Sequence, residues 1–403
     1  LHCHWIIVSH RIVATQSDLR DLCQQMAEAP QICFDTEFVS EHTYRPELCL
    51  VQVAFGKELA AIDPYGCDDV TPFWETIVRP GHETVVHAGR QELLFCLDAV
   101  GKPPSQLFDV QVAAGMVGFE YPAGYGTLVN KLLGLKASKG ETRTDWRQRP
   151  LSHAQIEYAL EDVRHLARFR ELLGERLTRL NRQAWFETEM VAWQTDIDQS
   201  RTSDRWRRVA GSSGLGGRGL AIVRAVWQWR EEEAFRRNRP VKQILRDDLI
   251  VEIAKRKSSD PRHIGAIRGM ERGDLKRAIP DMADAVKTAL DLGDHELPPT
   301  VRLESNSHLT MLGQFLSSAL GSICQQAEVA TSLVGTPSDV RDLIAWRLNG
   351  VTESEKELPT LATGWRAEVV GHLLDDLLSG KVAVRIKDPS SEQPLAFERM
   401  PIR

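Results

Sequence analysis

Asp35 and Glu37 stand two apart in Ile32-Cys-Phe-Asp-Thr-Glu-Phe-Val39, a run of strand-forming residues. The period-two geometry of a strand points both carboxylates to one face. Glu92 follows in His87-Ala-Gly-Arg-Gln-Glu92. Tyr158 and Asp162 lie four apart in Tyr158-Ala-Leu-Glu-Asp162, where a helix makes them neighbours. Carboxylates in so apolar a segment are costly unless something cationic holds them. Three separated segments that supply such acids imply one divalent-metal site assembled by the fold. Oxygen donors suit hard cations such as Mg²⁺ or Mn²⁺. Two such ions ~3.5–4 Å apart stabilise the attacking and leaving oxygens of an in-line displacement at phosphorus. Tyr158, beside Asp162, is placed to orient the attacking water or help deprotonate it. Metal-assisted phosphodiester hydrolysis is the expected reaction. Each motif alone has a plainer reading: a solvated strand edge, a surface helix pair, or a first-turn acid complementing a helix dipole. Their order and contexts taken together favour the site.

The elements that would carry these residues read as α/β over the first half of the chain. Ile32–Val39, Leu48–Phe55 and Glu58–Asp63 are short, partly alternating segments that suggest a strand meander. Thr84–His87 is a further strand, followed by helical patterns at Gln91–Val100, Val110–Val117, Leu128–Leu133 and Ser152–Leu180. Ser152-His-Ala-Gln155 has capping-box form, and Ile156, Ala159, Leu160, Val163 and Ala167 make a core stripe. Arg201–Gly219 reads as a linker. Its glycines follow no strand and precede no Gly-Lys-Ser/Thr, which argues against a phosphate loop. From Leu220 the pattern is nearly all helical, broken at Leu297-Pro-Pro299 and resuming from Ser307 to Ser379, with a late strand at Val382–Ile386. Trp229-Arg230 and Trp346-Arg347 sit in similar amphipathic surroundings, as two related helical modules would place them.

Composition narrows the class further. The chain has 403 residues, 42% of them hydrophobic, enough for two or three cores. No apolar run approaches the length of a membrane span, and Leu1–Val8 is too short and too poor in basic residues for a secretory signal. Seven cysteines without a C-x-x-C pair fit reduced thiols in a cytoplasmic protein. His2-Cys3-His4 has no partner ligands at zinc spacing and reads as a chain end. The net charge of −6 argues against a generic polyanion binder. Residues 214–290, however, hold 17 Lys and Arg against 11 Asp and Glu. A basic module on an acidic body can touch phosphates locally while the remainder avoids non-specific binding.

The first two hundred residues resemble the DEDDy 3′→5′ exonucleases, and among them the ribonuclease D family. The matching stretches are Phe34-Asp-Thr-Glu-Phe38, Thr43-Tyr-Arg-Pro-Glu-Leu-Cys-Leu-Val-Gln52, His87-Ala-Gly89, Leu107-Phe-Asp-Val-Gln-Val-Ala-Ala114, Asp145-Trp-Arg-Gln-Arg-Pro-Leu151 and Tyr158-Ala-Leu-Glu-Asp-Val163. The resemblance implies a ribonuclease-H-like mixed sheet over residues 1–195, two divalent cations, and stepwise release of 5′-mononucleotides from RNA 3′ ends. It places Asp35, Glu37 and Asp162 on the family's metal acids and Tyr158 on its water-positioning tyrosine. Glu92 falls where the family usually carries Asp, and the extra methylene lengthens its reach. Residues 214–292 resemble the helical HRDC module, through Trp229–Pro240, Asp247 and Asp248, and Ile267-Arg-Gly-Met270. Residues 306–386 resemble a second such module more loosely. The implied partner is RNA, such as a tRNA precursor or another structured RNA with a 3′ tail. A DNA exonuclease using the same acids and a non-catalytic RNA-binding scaffold are the rival readings.

Other residues carry two readings each. His87 either touches the scissile region or closes a strand as a buried histidine. Phe38 either stacks on the terminal base or belongs to the core. Asp109, which lies in a stretch that matches the family, reads as a structural N-cap rather than a ligand. Trp146 and Arg147 lie in a loop, where groups that contact RNA are well placed. Arg268, in the Arg268-Gly269 turn, suits a phosphate contact, with a protein-contact module as the plainer alternative.

Overall fold

A computed structural model describes residues 10–136, 144–202, 205–300, 307–348 and 358–401. His2-Cys3-His4 and much of the 296–305 linker therefore lie outside the described residues. In chain order the first part comprises β1 (Arg11–Val13), α1 (Gln16–Ala27), β2 (Gln31–Val39), β3 (Glu47–Phe55), β4 (Glu58–Ile62), α2 (Thr71–Ile77), β5 (Glu83–Val86), α3 (Arg90–Val100), β6 (Leu107–Asp109), α4 (Val110–Met116), α5 (Tyr125–Leu133), α6 (His153–Arg164), α7 (Leu166–Arg179) and α8 (Gln183–Thr202). Six strands form one mixed sheet in the order β1-β4-β3-β2-β5-β6. β2, β3 and β4 are the antiparallel meander, β1 joins β4 in parallel, and β5 and β6 extend the sheet in parallel beyond β2.

β2 is central, and its two faces meet different partners. Phe34 belongs with Val51 and Val53 to the core beneath α1 and α2, where its ring meets Phe73 edge-on at 5.6 Å. On the other face Leu50, which pairs with Glu37, packs with Ile156, Ala159 and Leu160 of α6. The β2–β3 register slips between Glu37 and Phe38. Such a bulge bends a strand and re-aims its end, and bulges gather at active sites.

The helical part continues with α9 (Gly217–Arg237), α10 (Val241–Ile244), α11 (Asp247–Arg256), α12 (Pro261–Gly265) and α13 (Gly273–Leu290). After the break come α14 (Ser307–Gln326), α15 (Thr331–Val334), α16 (Pro337–Leu348), α17 (Gly364–Arg366), a π turn at Ala367–Gly371 and α18 (His372–Leu378). A hairpin of β7 (Val382–Ile386) and β8 (Leu395–Arg399) closes the chain. α9–α13 enclose a core of their own. The helices after 307 instead share the core of the sheet domain: Leu316, Leu333, Ile344 and Leu374 cluster with Met116 and Phe186. Arg182 clasps the join, donating to the carbonyls of Met116 (2.6 Å), Glu328 (2.6 Å) and Ala327. Arg366 pairs with Glu189 at 2.8 Å across the same boundary. Arg230 and Arg347, in the two Trp-Arg pairs, each pair with a downstream aspartate, Asp247 and Asp375.

Two expectations change. The helix read through Ser152–Leu180 is broken at His165, and Ala167 is exposed while Leu166 takes the inward place. Arg201–Gly219 is not a free linker: α8 runs into it, Arg205–Arg208 form a 3₁₀ turn, and Trp206 is buried in the core of α9–α13. Trp206 lies among arginines and glycines, so no apolar period marked it.

Candidate active site

Asp35 pairs across β2–β3 with Gln52, and Glu37 with Leu50, so both acids face α6 as their spacing predicts. Glu92 reaches them from α3. That helix starts after a tight turn in which Ala88 has φ 55° and a Cβ on Gly89 would lie 2.3 Å from Val86 Cγ2. Asp109 holds this turn, accepting from the amides of Ala88 (3.1 Å) and Gly89 (2.9 Å) while it caps α4 through Gln111 N–H (2.8 Å). Asp109 is thus the N-cap expected, and it also positions the helix that carries Glu92. The Glu92 carboxylate is buried and accepts from the Thr36 hydroxyl at 2.5 Å.

α6 supplies the other two groups. Both arms of the capping box form: Ser152 N–H donates to Gln155 Oε1 (2.9 Å) and Gln155 N–H to Ser152 Oγ (3.2 Å). Arg149 pins the preceding loop to the sheet through Asp63 and the Cys49 carbonyl (2.6 Å). Tyr158 and Asp162 follow one turn apart, both half-buried, and Trp146 stacks on Tyr158 with centroids 6.2 Å apart. The helix ends where Tyr125 intrudes, its hydroxyl donating to the Glu161 carbonyl (2.5 Å) and accepting from His165 N–H (3.3 Å). A side chain inserted in the ladder is an ordinary cause of a helix break.

The acids feel one another. Burial, then the charges of Glu92, Asp162 and Glu37, push the Asp35 carboxyl well above the usual carboxylate range. Glu37 is raised to about 8 by burial and by Asp162 and Glu92. Burial lifts Asp162 to about 7, with Glu161 adding to it, and lifts Glu92 to about 7 against the pull of its Thr36 hydrogen bond. Tyr158 rises to about 12, from burial and the same carboxylates, so its phenol keeps its proton at neutral pH. Among the described residues no Lys, Arg or His pairs with Asp35, Glu37, Glu92 or Asp162. No three His, Cys, Asp or Glu side chains there already converge closely enough to share one ion. An all-oxygen donor set held at raised pKa and left without an ion pair suits a hard divalent cation.

The remaining candidates are dispersed. Phe38 is half-buried against Phe95, edge-on at 5.9 Å. His87 donates from Nε2 to the Ala123 carbonyl (2.9 Å) and meets Tyr125 edge-on. Trp146 is only 5% exposed, so it supports Tyr158 rather than standing open in its loop. Arg147 is exposed and paired with Asp145 at 3.0 Å. Arg268 is exposed beside Gly269, which has φ 103°, in the helical module and away from the acids in sequence. Thr36, Gln52 and Tyr125 escaped the sequence reading. Thr36 lay in plain view between the two acids, and strand alternation sends it to the opposite face.

A mixed sheet that carries these carboxylates, followed by helices with a core of their own, has the architecture of a 3′–5′ exonuclease with an HRDC domain. The family models agree: the 3′-5′ exonuclease model matches residues 10–178 and the HRDC domain model residues 219–286. The chain is 34% identical to ribonuclease D of Granulibacter bethesdensis, over 94% of this chain and 95% of that one. It is 36% identical to ribonuclease D of Acidiphilium cryptum, over 93% and 94%. The crystal structure of Escherichia coli RNase D, described as an exoribonuclease involved in structured RNA processing, superposes with a TM-score of 0.79 at 25% identity, covering 93% of this chain and 99% of that one. The chain belongs to the ribonuclease D family of 3′→5′ exoribonucleases.

Proposed function

We propose that this exoribonuclease removes 5′-mononucleotides one at a time from the 3′ ends of structured RNAs such as tRNA precursors, by a two-metal-ion mechanism. One observation carries the reading: Asp35 and Glu37 from β2, Glu92 from α3 and Asp162 from α6 lie within range of one another's charge, with no basic side chain among the described residues paired to them. These four residues would hold two divalent cations, Mg²⁺ or Mn²⁺, which when bound supply the charge that stabilises the attacking and leaving oxygens at phosphorus. The protonated Tyr158 hydroxyl then orients the attacking water, with Trp146 fixing its ring. Thr36 holds the buried Glu92 carboxylate, and Asp109 holds the turn that leads into its helix.

In this reading the catalytic domain spans 1–195, an HRDC module 214–292 and a second HRDC-like module 306–386. Arg268 and Arg147 meet phosphates, and Phe38 and His87 border the terminal nucleotide. A cytoplasmic setting is supported by six buried free thiols among the described residues. No helix among them is long and apolar enough to cross a membrane. The test is a time course on 3′-tailed tRNA and on matched RNA and DNA overhangs, with Mg²⁺, Mn²⁺ or EDTA. A ladder shortening by single nucleotides from the RNA 3′ end, abolished by EDTA, is expected. Equal trimming of DNA would favour a general exonuclease, and no trimming with retained binding a scaffold.

A further inference from the structure

Gln52 sits at the centre of the sheet, paired across β3–β2 with Asp35 and across β3–β4 with Ala61. Cross-strand partners point to the same face, with Cβ atoms about 4.5–5.5 Å apart. On this face the surroundings are apolar: Leu50 and Ala61 lie beside it, and Ala159 and Leu160 of α6 belong to the same cluster. Gln52 is 0% exposed, yet neither its Nε2 nor its Oε1 has a hydrogen-bond partner. Leaving a buried donor or acceptor unpaired costs about 1–3 kcal/mol, and native structures tolerate few such groups. A leucine would fill the place without that penalty. Of its two cross-strand neighbours one ends in a methyl, and the other ends in a carboxylate.

We propose that Gln52 is a positioning residue for Asp35: its amide N–H donates to the Asp35 carboxylate and fixes the orientation in which that carboxylate binds a divalent cation. This rests on the metal site argued above. The side chain's three rotatable bonds give it the reach, and a carboxylate oxygen is an acceptor for its amide N–H. A ligand carboxylate steered in this way binds more tightly, because its freedom is already restricted. Loss of such a supporting hydrogen bond typically weakens metal affinity about 10–100-fold.

The experiment replaces the amide with an apolar side chain of the same length, Gln52→Met, with Gln52→Leu as a second variant should the first fold poorly. Two quantities are read on the full chain: thermal melting in EDTA, and Mn²⁺ affinity by titration calorimetry. With the unpaired amide gone, the melting temperature in EDTA should hold or rise. Mn²⁺ affinity should fall about 10–100-fold, and RNA hydrolysis should fall at low Mn²⁺ and recover at saturating Mn²⁺. A purely structural role would lower the melting temperature and leave Mn²⁺ affinity at the parental value, which would overturn the proposal. Asp35→Asn serves as the control. If that variant binds Mn²⁺ as tightly as the parent, the metal site itself falls, and the Gln52 assignment with it. If Asp35→Asn loses Mn²⁺ while Gln52→Met keeps it, only the Gln52 assignment falls.

Discussion

The Thr36 hydroxyl lies 2.5 Å from the carboxylate of Glu92, a residue 56 positions further along the chain. Thr36 stands between Asp35 and Glu37 but faces away from them, so one strand offers two acids forward and steadies a third from behind. Thr36→Val keeps the shape and removes the donor. Loss of a partner by a buried carboxylate costs about 1–3 kcal/mol. Thr36 pulls the Glu92 pKa down, so without it that pKa climbs above about 7. The destabilisation should therefore be larger at pH 8, where Glu92 must ionise, than at pH 5. Thermal melts of parent and variant at both pH values check this.

The raised carboxyls make the metal-free protein sensitive to rising pH. Glu37 titrates near 8 and Asp162 and Glu92 near 7 when folded, against about 4 when unfolded. A group with a raised folded pKa contributes stability that is complete below its unfolded pKa and is lost as pH climbs through the folded value. In EDTA, stability should decline from about pH 4 upward and level off only above the highest folded value of the set, Asp35 included. Mn²⁺ favours the ionised carboxylates and should abolish most of that decline. At pH 7, calorimetry in buffers of different ionisation enthalpy should show protons released as Mn²⁺ binds.

Asp35→Asn preserves volume and removes a ligand charge from the centre of β2. Nucleotide release should fall by about three orders of magnitude or more, since a metal supplies several kcal/mol of charge stabilisation. RNA affinity should change little, because phosphate contacts elsewhere dominate it. Single-turnover cleavage and filter binding on one 3′-tailed RNA separate the two.

Arg182 joins the sheet domain to the final helices through three carbonyls, and the two share one core. Arg182→Ala leaves buried carbonyls without their charged donor and should cost at least about 2 kcal/mol. For the same reason, truncation before residue 307 should destabilise the catalytic sheet rather than simply weaken RNA binding. Urea unfolding of the full chain and of residues 1–300 distinguishes these outcomes.

The sequence carried the meander, the helices around the site and the acids themselves, because alternation and 3.6-residue periodicity survive wherever one face is buried. It did not carry β1 or β6, each three residues long and too short for a period. Nor did it show the break at His165, which depends on a tyrosine forty positions earlier. Trp146 reads as a loop residue on local grounds, and only the packing of Tyr158 against it shows that it is buried. The shared core of the first and last modules was equally hidden, since amphipathic helices reveal that they have an apolar face and not what covers it.

Anomalous diffraction from a crystal soaked in Mn²⁺ tests the central claim most directly. Two peaks should appear between β2 and α6, bounded by Asp35, Glu37 and Asp162, with Glu92 approaching one of them. Mn²⁺ bound elsewhere, with those carboxylates turned away from a common centre, would contradict the account.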